Sequence, residues 1–435
     1  MLFILFVSLL ILTCILLYLN DGDPLAPSSL SSEMFTLSTL VALLNQKKWG
    51  VEYSAYTIIV ILTGLIAFSI GAFFVKNIIG KKKIVHQFKQ ENIYALNKKL
   101  IYIKPNVVIL ILFFMIIITF FHVKKTYEIS LIMGNTGGFM TMLQYARIAY
   151  IYTDISVGNI LAILGFMVGG LGYIFVFILI YNFIYFGKKS LKMIYFLPVI
   201  VYIILATMGT GRTVFIRFMV AILTIAVLLW FEKKNIKKLK MSYVIRILMI
   251  AIFAVIAFFI AFQLLGTLTG KTGEASTLDM LSIYSGSSIP ALNIFLDNNS
   301  VNGNIFGSES FHSLYSTLNK LGLNFPDDTI HLSFVDFING YRTNIYTALR
   351  TYIFDFGYTG MILIQFIMGV LFSLYYTNIK NGGLNYIFII IYGYLNYGLA
   401  IQAIEDELLR SFMSVTQIFE LLFIVVFYRI LIKKN

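Results

Sequence analysis

The sequence predicts an all-α protein that is embedded in a membrane and crosses it many times. Of its 435 residues, 59% are hydrophobic and only 12% are charged, whereas a soluble protein has about 25% charged residues. The hydrophobic residues form runs of roughly 20, which is the length that a helix needs to cross a bilayer core. These observations exclude an ordinary soluble domain, and the high apolar content excludes a disordered chain.

Eleven apolar runs are candidate spans, and we expect between ten and twelve membrane helices. They cover 1–19, 29–44, 55–75, 106–122, 158–186, 191–208, 213–231, 244–265, 353–377, 384–402 and 411–431. The first run lacks a basic start and a cleavage site of small residues, so we expect a span there and no signal peptide. The second run is the weakest, because it is short and opens with serines and Glu33. It could instead be a re-entrant or interfacial segment.

Lysine and arginine predict the orientation, because short cytoplasmic loops are enriched in both. The segments 76–105, 187–192, 232–246, 378–383 and 429–435 together hold 21 of the 33 basic residues, so we expect them in the cytoplasm. The 80-residue connection 266–345 is then outside and carries seven acids against three bases. If 29–44 crosses, the N-terminus is also outside; if it does not, both termini are inside. The net charge of +13 is explained by orientation and by anionic lipid, and we expect no nucleic-acid partner.

The spans and the long connection divide the chain into three parts. Residues 1–265 form an N-terminal bundle of about eight spans, 266–345 form one large structured external loop, and 346–435 form a C-terminal bundle of about three spans. Within the loop, an apolar stripe that begins at Phe311 predicts a helix with Glu309 in its first turn and Gly322 as its stop. A second helix is predicted over 289–296, with serines before it as possible caps. We expect such helices to roof a cavity on the outer face.

The first candidate site is the stretch from Gly209 to Thr213, which lies between two spans and opens the second of them. A helix N-terminus presents free N–H groups that bind phosphate, and an arginine binds phosphate through two parallel hydrogen bonds. Gly211, Arg212 and Thr213 are therefore candidates for a phosphate site. The alternative is an interfacial arginine beside a tight turn.

The second candidate site leads from the external loop into the span 353–377. Arg342 and Arg350 are eight residues apart, about 80° of rotation on a helix, so both could reach one cavity. The side chains between them offer phenol and amide groups, and these come from Tyr341, Asn344 and Tyr346. Asp355 near the outer end of the span is predicted to form a structural ion pair with Arg350 or another arginine.

The remaining charged residues have mostly structural interpretations. Glu420 in the middle of the last span is predicted to pair with Arg217. The loop histidines, His312 and His331, are candidates for a general base, although loop histidines are more often solvated. The Asp327-Asp328 pair and the Glu405-Asp406-Glu407 cluster are interpreted as solvated connections, the latter with an Asp406–Arg410 pair. One cysteine and four histidines predict no metal site and no cofactor.

Five stretches of the chain resemble bacterial oligosaccharide repeat-unit polymerases, the Wzy-type polymerases of O-antigen and capsule. They are Asp21 to Pro24, Gly209 to Thr213, Glu309-Ser310-Phe311, Thr343 to Thr347, and Asp355 to Gly360. The resemblance implies a fold similar to the metal-independent, lipid-dependent GT-C glycosyltransferases. It also implies location in the bacterial cytoplasmic (inner) membrane, with the active face outside the cytoplasm.

The resemblance implies a reaction and its partners. A sugar hydroxyl on one undecaprenyl-pyrophosphate-linked repeat unit would attack the anomeric carbon of the growing glycan on another, and undecaprenyl pyrophosphate would leave. Arg212 and the helix start would bind the pyrophosphate, and Arg342 and Arg350 would stabilise its developing charge. The base would be His312 or else Glu309, while Tyr341, Asn344 and Tyr346 would contact sugar. Besides membrane lipid, the implied partners are a chain-length regulator and a flippase.

Three other functions compete with this one. A lipid-linked oligosaccharide flippase would normally show internal repeats, which this sequence lacks. An O-antigen ligase would use the same donor chemistry, and the sequence separates it poorly from a polymerase. A membrane O-acyltransferase would normally need a histidine inside a buried span, and His122 lies only at the edge of one.

Overall fold

The computed structural model describes residues 1–87, 98–153, 155–211, 213–234, 277–298, 306–325, 332–380, 385–411 and 413–433, and they form an all-α, membrane-embedded protein. The helices of these residues, in chain order, are α1 (Leu2–Leu19), α2 (Pro27–Leu44), α3 (Gln46–Trp49), α4 (Ala55–Gln87), α5 (Pro105–Ile132), α6 (Met142–Tyr152), α7 (Asn159–Phe186), α8 (Phe196–Met208), α9 (Thr213–Lys234), α10 (Thr277–Gly286), α11 (Ser288–Asp297), α12 (His312–Lys320), α13 (Ala348–Lys380), α14 (Tyr386–Ile401) and α15 (Val415–Tyr428). Strands β1 (Val335–Asp336) and β2 (Arg342–Thr343) form an antiparallel hairpin. A π-turn, Arg429–Lys433, extends α15.

Ten of the eleven predicted runs coincide with helices, and the run 244–265 lies outside the described residues. Among the described helices, α1, α4, α5, α7, α9, α13 and α15 with its π-turn are long and apolar enough to cross a membrane. Helices α8 and α14 are apolar but shorter. Membrane embedding is therefore confirmed, whereas the count of about eleven spans and the GT-C architecture stay predictions.

The serine-rich helix α2 is buried in the bundle. The hydroxyl of Thr13 on α1 lies 2.7 Å from that of Ser32 and 2.9 Å from that of Thr36. The amide of Asn20 donates to Ser28 and Ser29 at 2.9 Å each. Because a polar group needs a partner when it leaves water, these hydroxyls fix the register of α1 against α2.

Helices α4 and α13 pack closely through two glycines that face each other's backbone. A Cβ atom added at Gly71 would lie 2.2 Å from the carbonyl oxygen of Phe366, and one at Gly369 would lie 2.0 Å from that of Phe68. Only a residue without a side chain allows this approach. Near its start, α13 bends at Gly357, whose φ of +69° favours glycine.

The external loop inserts one helix into the bundle. Ile289, Ala291 and Leu292 of α11 are fully buried in the core that α1, α2, α4 and the start of α13 share. The predicted helix over 289–296 is confirmed, but its serines cap nothing: Ser287 bonds the hydroxyl of Thr343 at 2.8 Å and Ser288 the carbonyl of Ala403 at 2.6 Å. The prediction of surface helices that only roof a cavity is therefore wrong for α11.

We define the loop end of the bundle as the end where the described parts of 266–345 meet the helices. The starts of α9 and α13 and the connection 402–414 lie there, because the Ala348 amide donates to the Gln402 carbonyl at 2.9 Å and Arg217 reaches Glu407. The other end carries lysines. Lys76 donates to the carbonyl of Leu19 at 2.6 Å, and Lys380 pairs with the buried Asp23.

Candidate functional site

Arg350 of α13 forms a buried ion pair with Glu309 of the external loop. Its guanidinium also lies over three rings, 4.7 Å from Phe295, 4.9 Å from Tyr346 and 4.8 Å from Phe354. The two charged side chains are only 7% and 5% exposed, so the pair is shielded from solvent. Arg350 therefore holds the loop against α13. Removing either partner would leave a buried, uncompensated charge.

Asp355 binds the same piece of the loop from the next turn of α13. Its carboxylate accepts hydrogen bonds from the backbone N–H of Glu309 at 3.2 Å, that of Ser310 at 2.7 Å and the Ser308 hydroxyl at 3.2 Å. The predicted ion pair of Asp355 with Arg350 or another arginine is wrong for the described residues: hydrogen bonds from the turn satisfy its carboxylate, and Arg350 pairs with Glu309 instead. Glu309 lies in that turn, outside α12, so its predicted place in the first turn of the helix is also wrong.

Burial changes the proton affinity of Glu309. It raises the pKa of this carboxyl, and the positive charge of Arg350 opposes the change. Because its carboxylate is engaged by Arg350, Glu309 is a weaker candidate for the base than the sequence indicated. His312, the other candidate, begins α12 and is partly buried.

Arg217 lies at the centre of a second buried cluster, formed by α9, α14, α15 and the connection 402–414. Its guanidinium donates to the hydroxyl of Tyr394 at 3.1 Å and pairs with Glu407 at 3.4 Å. The same Tyr394 hydroxyl donates to Glu420 at 2.6 Å. The predicted direct pair between Arg217 and Glu420 is therefore wrong: the tyrosine bridges them, and Glu407 is the acid that Arg217 contacts.

Asp406, beside Glu407, is buried, contrary to the solvated connection that the sequence indicated. Only 3% of the residue is exposed. One carboxylate oxygen, Oδ1, accepts from the Tyr352 hydroxyl at 3.0 Å and from the backbone N–H groups of Leu408 and Leu409 at 3.1 Å each. Burial raises the pKa of Asp406 to about 7, although these three hydrogen bonds oppose the rise. Burial also raises the pKa of Glu405 to about 7, and Glu407 adds to it.

The segment before α9 has an unusual backbone. Thr210 is buried and has a φ of +54°, which is an outlier for a β-branched residue. Such strain is concentrated at functional sites. Gly211 follows, Thr213 is the first residue of α9, and Arg212 lies outside the described residues.

The structure separates the residues that the second sequence motif placed together. Arg342 belongs to β2, is 63% exposed, pairs with Asp336 at 3.5 Å and lies 4.6 Å from the ring of Phe334. Because α13 begins only at Ala348, the predicted helical spacing between Arg342 and Arg350 is wrong. Each arginine contacts different residues.

The three predicted sugar contacts differ in exposure. Tyr346 is buried and donates to the Ser333 carbonyl at 2.9 Å, so its hydroxyl is already engaged. Tyr341 is partly buried with Lys48 5.4 Å from its ring, and Asn344 is exposed. Asn344 and Tyr341 therefore remain the better candidates for contacts with sugar.

No three of the histidine, cysteine, aspartate or glutamate side chains of the described residues are placed to hold a metal ion. A groove of about 710 Å³ lies between α5 and the start of α7, lined by apolar side chains with Lys124, Lys125 and Glu128. The Arg350, Arg217 and Asp406 side chains do not line it.

No family model, curated protein or solved structure matches the chain.

The sequence did not single out Asp406, Tyr352 or Tyr394 as site residues. A signal was present for Asp406: three acids in succession, Glu405 to Glu407, interrupt two strongly apolar runs. Carboxylates so close to a span are costly unless they have partners or a function. The partners, Tyr352 and Arg217, are distant in sequence and only the fold reveals them.

Proposed function

We propose that the protein polymerises undecaprenyl-pyrophosphate-linked oligosaccharide repeat units into O-antigen or capsular polysaccharide at the outer face of the bacterial cytoplasmic membrane. The proposal joins the sequence resemblance to one structural observation. At the loop end, a chain that is poor in charge buries Arg350, Glu309 and Asp406 and partly buries the Arg217–Glu407 pair. Ionisable groups inside a membrane protein are expensive, and they commonly mark a substrate site.

The donor pyrophosphate is assigned to the start of α9. Gly211, Arg212 and Thr213 would bind it through backbone N–H groups and a guanidinium. Arg217 lies one to two turns further along the same helix, where it pairs with Glu407. The exposed Arg342 would join them, because its solvent-exposed pair with Asp336 is easily opened. Arg350 has a different task in this proposal, since it holds the loop.

The distribution of lysine supports an active face outside the cytoplasm. The end opposite the loop end carries Lys76, Lys98, Lys233 and Lys380, in contact with helix ends or acids. Positive residues are retained on the cytoplasmic side. The loop end would then face outwards, where lipid-linked repeat units are joined.

The test is the size profile of the surface glycan in a strain that lacks the gene. We expect the deletion to abolish the long ladder while single repeat units are still made and exported. The wild-type protein should restore the ladder, whereas Arg212→Ala and Arg342→Ala should shorten or abolish it at equal protein level. Lys320→Ala is the matched control, because Lys320 is an exposed cation of the same loop.

Other outcomes identify the competing functions. Accumulation of lipid-linked units on the inner face would indicate a flippase. Free polymer that is not attached to its final acceptor would indicate a ligase. An unchanged ladder in the deletion strain would show that the protein does not act in this process.

A further inference from the structure

We infer that Asp406 is the general base of the glycosyl transfer and accepts the proton of the attacking sugar hydroxyl at its oxygen Oδ2. The inference rests on the proposed function and deepens it, because it identifies the group that activates the acceptor. Neither His312 nor Glu309 is needed for this step.

The two oxygens of Asp406 have different surroundings. Oδ1 accepts three hydrogen bonds, from the Tyr352 hydroxyl and from two backbone N–H groups. Oδ2 is buried and has no hydrogen-bond partner among the described residues. A buried acceptor without a partner is rare in proteins and needs an explanation. A carboxylate that is anchored through one oxygen and free at the other is oriented to receive a proton.

Other buried polar atoms without partners lie on the segments that meet at the loop end. Within the described chain they include Oε1 of Gln402, Nε of Arg350 and Oγ of Ser310. The Gln402 carbonyl accepts from Ala348 at the first residue of α13, and Tyr352 follows one turn later. Ser310 is held by Asp355 of the same helix. A ligand with several hydroxyl groups, such as the acceptor sugar, offers both donors and acceptors to such atoms.

The charge of Asp406 suits the role. The groups around it are Tyr352 from α13, Glu405, Glu407 and Arg410 from its own connection, and Arg217 of α9 through Glu407. Burial raises the pKa of Asp406 to about 7. A base works best when its pKa is near the operating pH, because a substantial fraction is then ionised and this form is still basic.

The step balances without a further reactant. The acceptor oxygen forms a bond to the anomeric carbon of the donor glycan, and its proton moves to Oδ2. The bond between the anomeric carbon and the phosphate oxygen breaks, and the pyrophosphate takes the electron pair. The proton on Asp406 then passes to solvent or to the departing phosphate.

The experiment uses purified full-length protein in lipid vesicles, with lipid-linked repeat units extracted from the deletion strain. We expect Asp406→Asn to lower kcat by about 10²–10⁴-fold and to change KM much less. Glu52→Gln should leave both constants unchanged, because Glu52 is an exposed acid of the connection before α4. Tyr352→Phe removes a hydrogen bond that lowers the pKa of Asp406, so the acidic limb of the pH–rate profile should move to higher pH.

The outcomes separate the inference from the proposed function. If the wild-type protein forms no polymer from these units, the proposed function fails. If it does, and Asp406→Asn is folded with an unchanged kcat, Asp406 is not the base although the function stands. If Asp406→Asn does not fold, Tyr352→Phe decides: an unmoved acidic limb overturns the inference, and a shift to higher pH supports it.

Discussion

Arg342 and Arg350 are the same residue type in very different surroundings. The Arg342–Asp336 pair is largely exposed, with side chains 63% and 76% accessible, whereas the Arg350–Glu309 pair is only 7% and 5% accessible. An exposed pair is screened by water and contributes little. A buried pair contributes mainly when one partner is lost, because the remaining charge is then desolvated without compensation.

We therefore expect Glu309→Gln to lower the free energy of unfolding by about 3–5 kcal/mol. The double variant Glu309→Leu with Arg350→Met should recover most of the loss, since no charge is left buried. Arg342→Gln serves as the control and should cost about 1 kcal/mol or less. Thermal unfolding of the protein in detergent measures all three, and an unchanged midpoint for Glu309→Gln would contradict the importance of this pair.

Asp406 should make stability depend on pH. Burial raises its pKa from the ordinary value of 3.8 to about 7 in the folded protein. Between these values the folded state holds a proton that the unfolded chain has released, so this group's contribution falls as the pH rises towards 7. Glu405 acts in the same direction.

Asp406→Asn should remove that dependence. We expect its unfolding midpoint to equal that of the wild type near pH 4 and to exceed it increasingly up to pH 8. Asp336→Asn, at an exposed site, should run parallel to the wild type. The measurement is the unfolding midpoint across this pH range. The assignment would be refuted if the midpoint of the Asp406→Asn variant fell relative to that of the wild type between pH 4 and pH 8.

At this scale the sequence identified charges but not their partners. It singled out Glu309, Arg350, Asp355, Arg217 and Glu420 as important, and the structure buries Glu309, Arg350 and Glu420. The predicted ion-pair partners were wrong because a pairing depends on which helices pack together. Spacing along the chain does not contain that information. Asp406 was interpreted as solvated because three adjacent acids resemble an ordinary surface turn.

At the scale of elements, α13 combines three structural features: contacts with the external loop, a bend and a close contact with α4. Its start binds the loop through Arg350 and Asp355, Gly357 then bends it, and Gly369 finally brings its backbone against α4. The apolar run predicted the helix well, because hydrophobic length alone identifies a span. The early start at Ala348 and the bend were not predicted, since the polar residues there look like loop.

Gly369→Ala should separate α4 from α13. The added Cβ would lie 2.0 Å from the Phe68 carbonyl oxygen, which belongs to a helix backbone and cannot move alone. We expect a loss of about 1–3 kcal/mol or more in the free energy of unfolding, together with a lower yield of monodisperse protein. Leu371→Ala is the control, because Leu371 is on the same helix but 54% exposed. Equal midpoints for the two variants would argue against close backbone packing.

For the whole molecule, membrane embedding followed from composition, whereas the place of the external loop did not. The loop was expected above the bundle, yet α11 is part of the core and Phe295 contacts Arg350. Hydrophobic runs of ten residues do not reveal whether a helix lies on a surface or enters a core. Packing against α2 and α4 decides this, and it involves residues far apart in sequence.

Cysteine labelling tests the orientation, since Cys14 is the only native cysteine. In a Cys14→Ser background, we expect Lys320→Cys in the loop to react with a membrane-impermeant maleimide in intact cells. Lys188→Cys, at the opposite end, should react only after the cells are opened. The reverse pattern would place the loop in the cytoplasm and would exclude polymerisation at the outer face.

Helix α2 has a consequence for the order in which the protein is made. Its hydroxyls acquire Thr13 as a partner at once, because α1 precedes it on the ribosome. Ser31, however, accepts from Gln402, which is synthesised 371 residues later. A buried hydroxyl without a partner is costly, so a nascent chain that stops before Gln402 would leave Ser31 without this partner. The last tenth of translation would therefore complete the packing of a helix that is among the first to leave the ribosome.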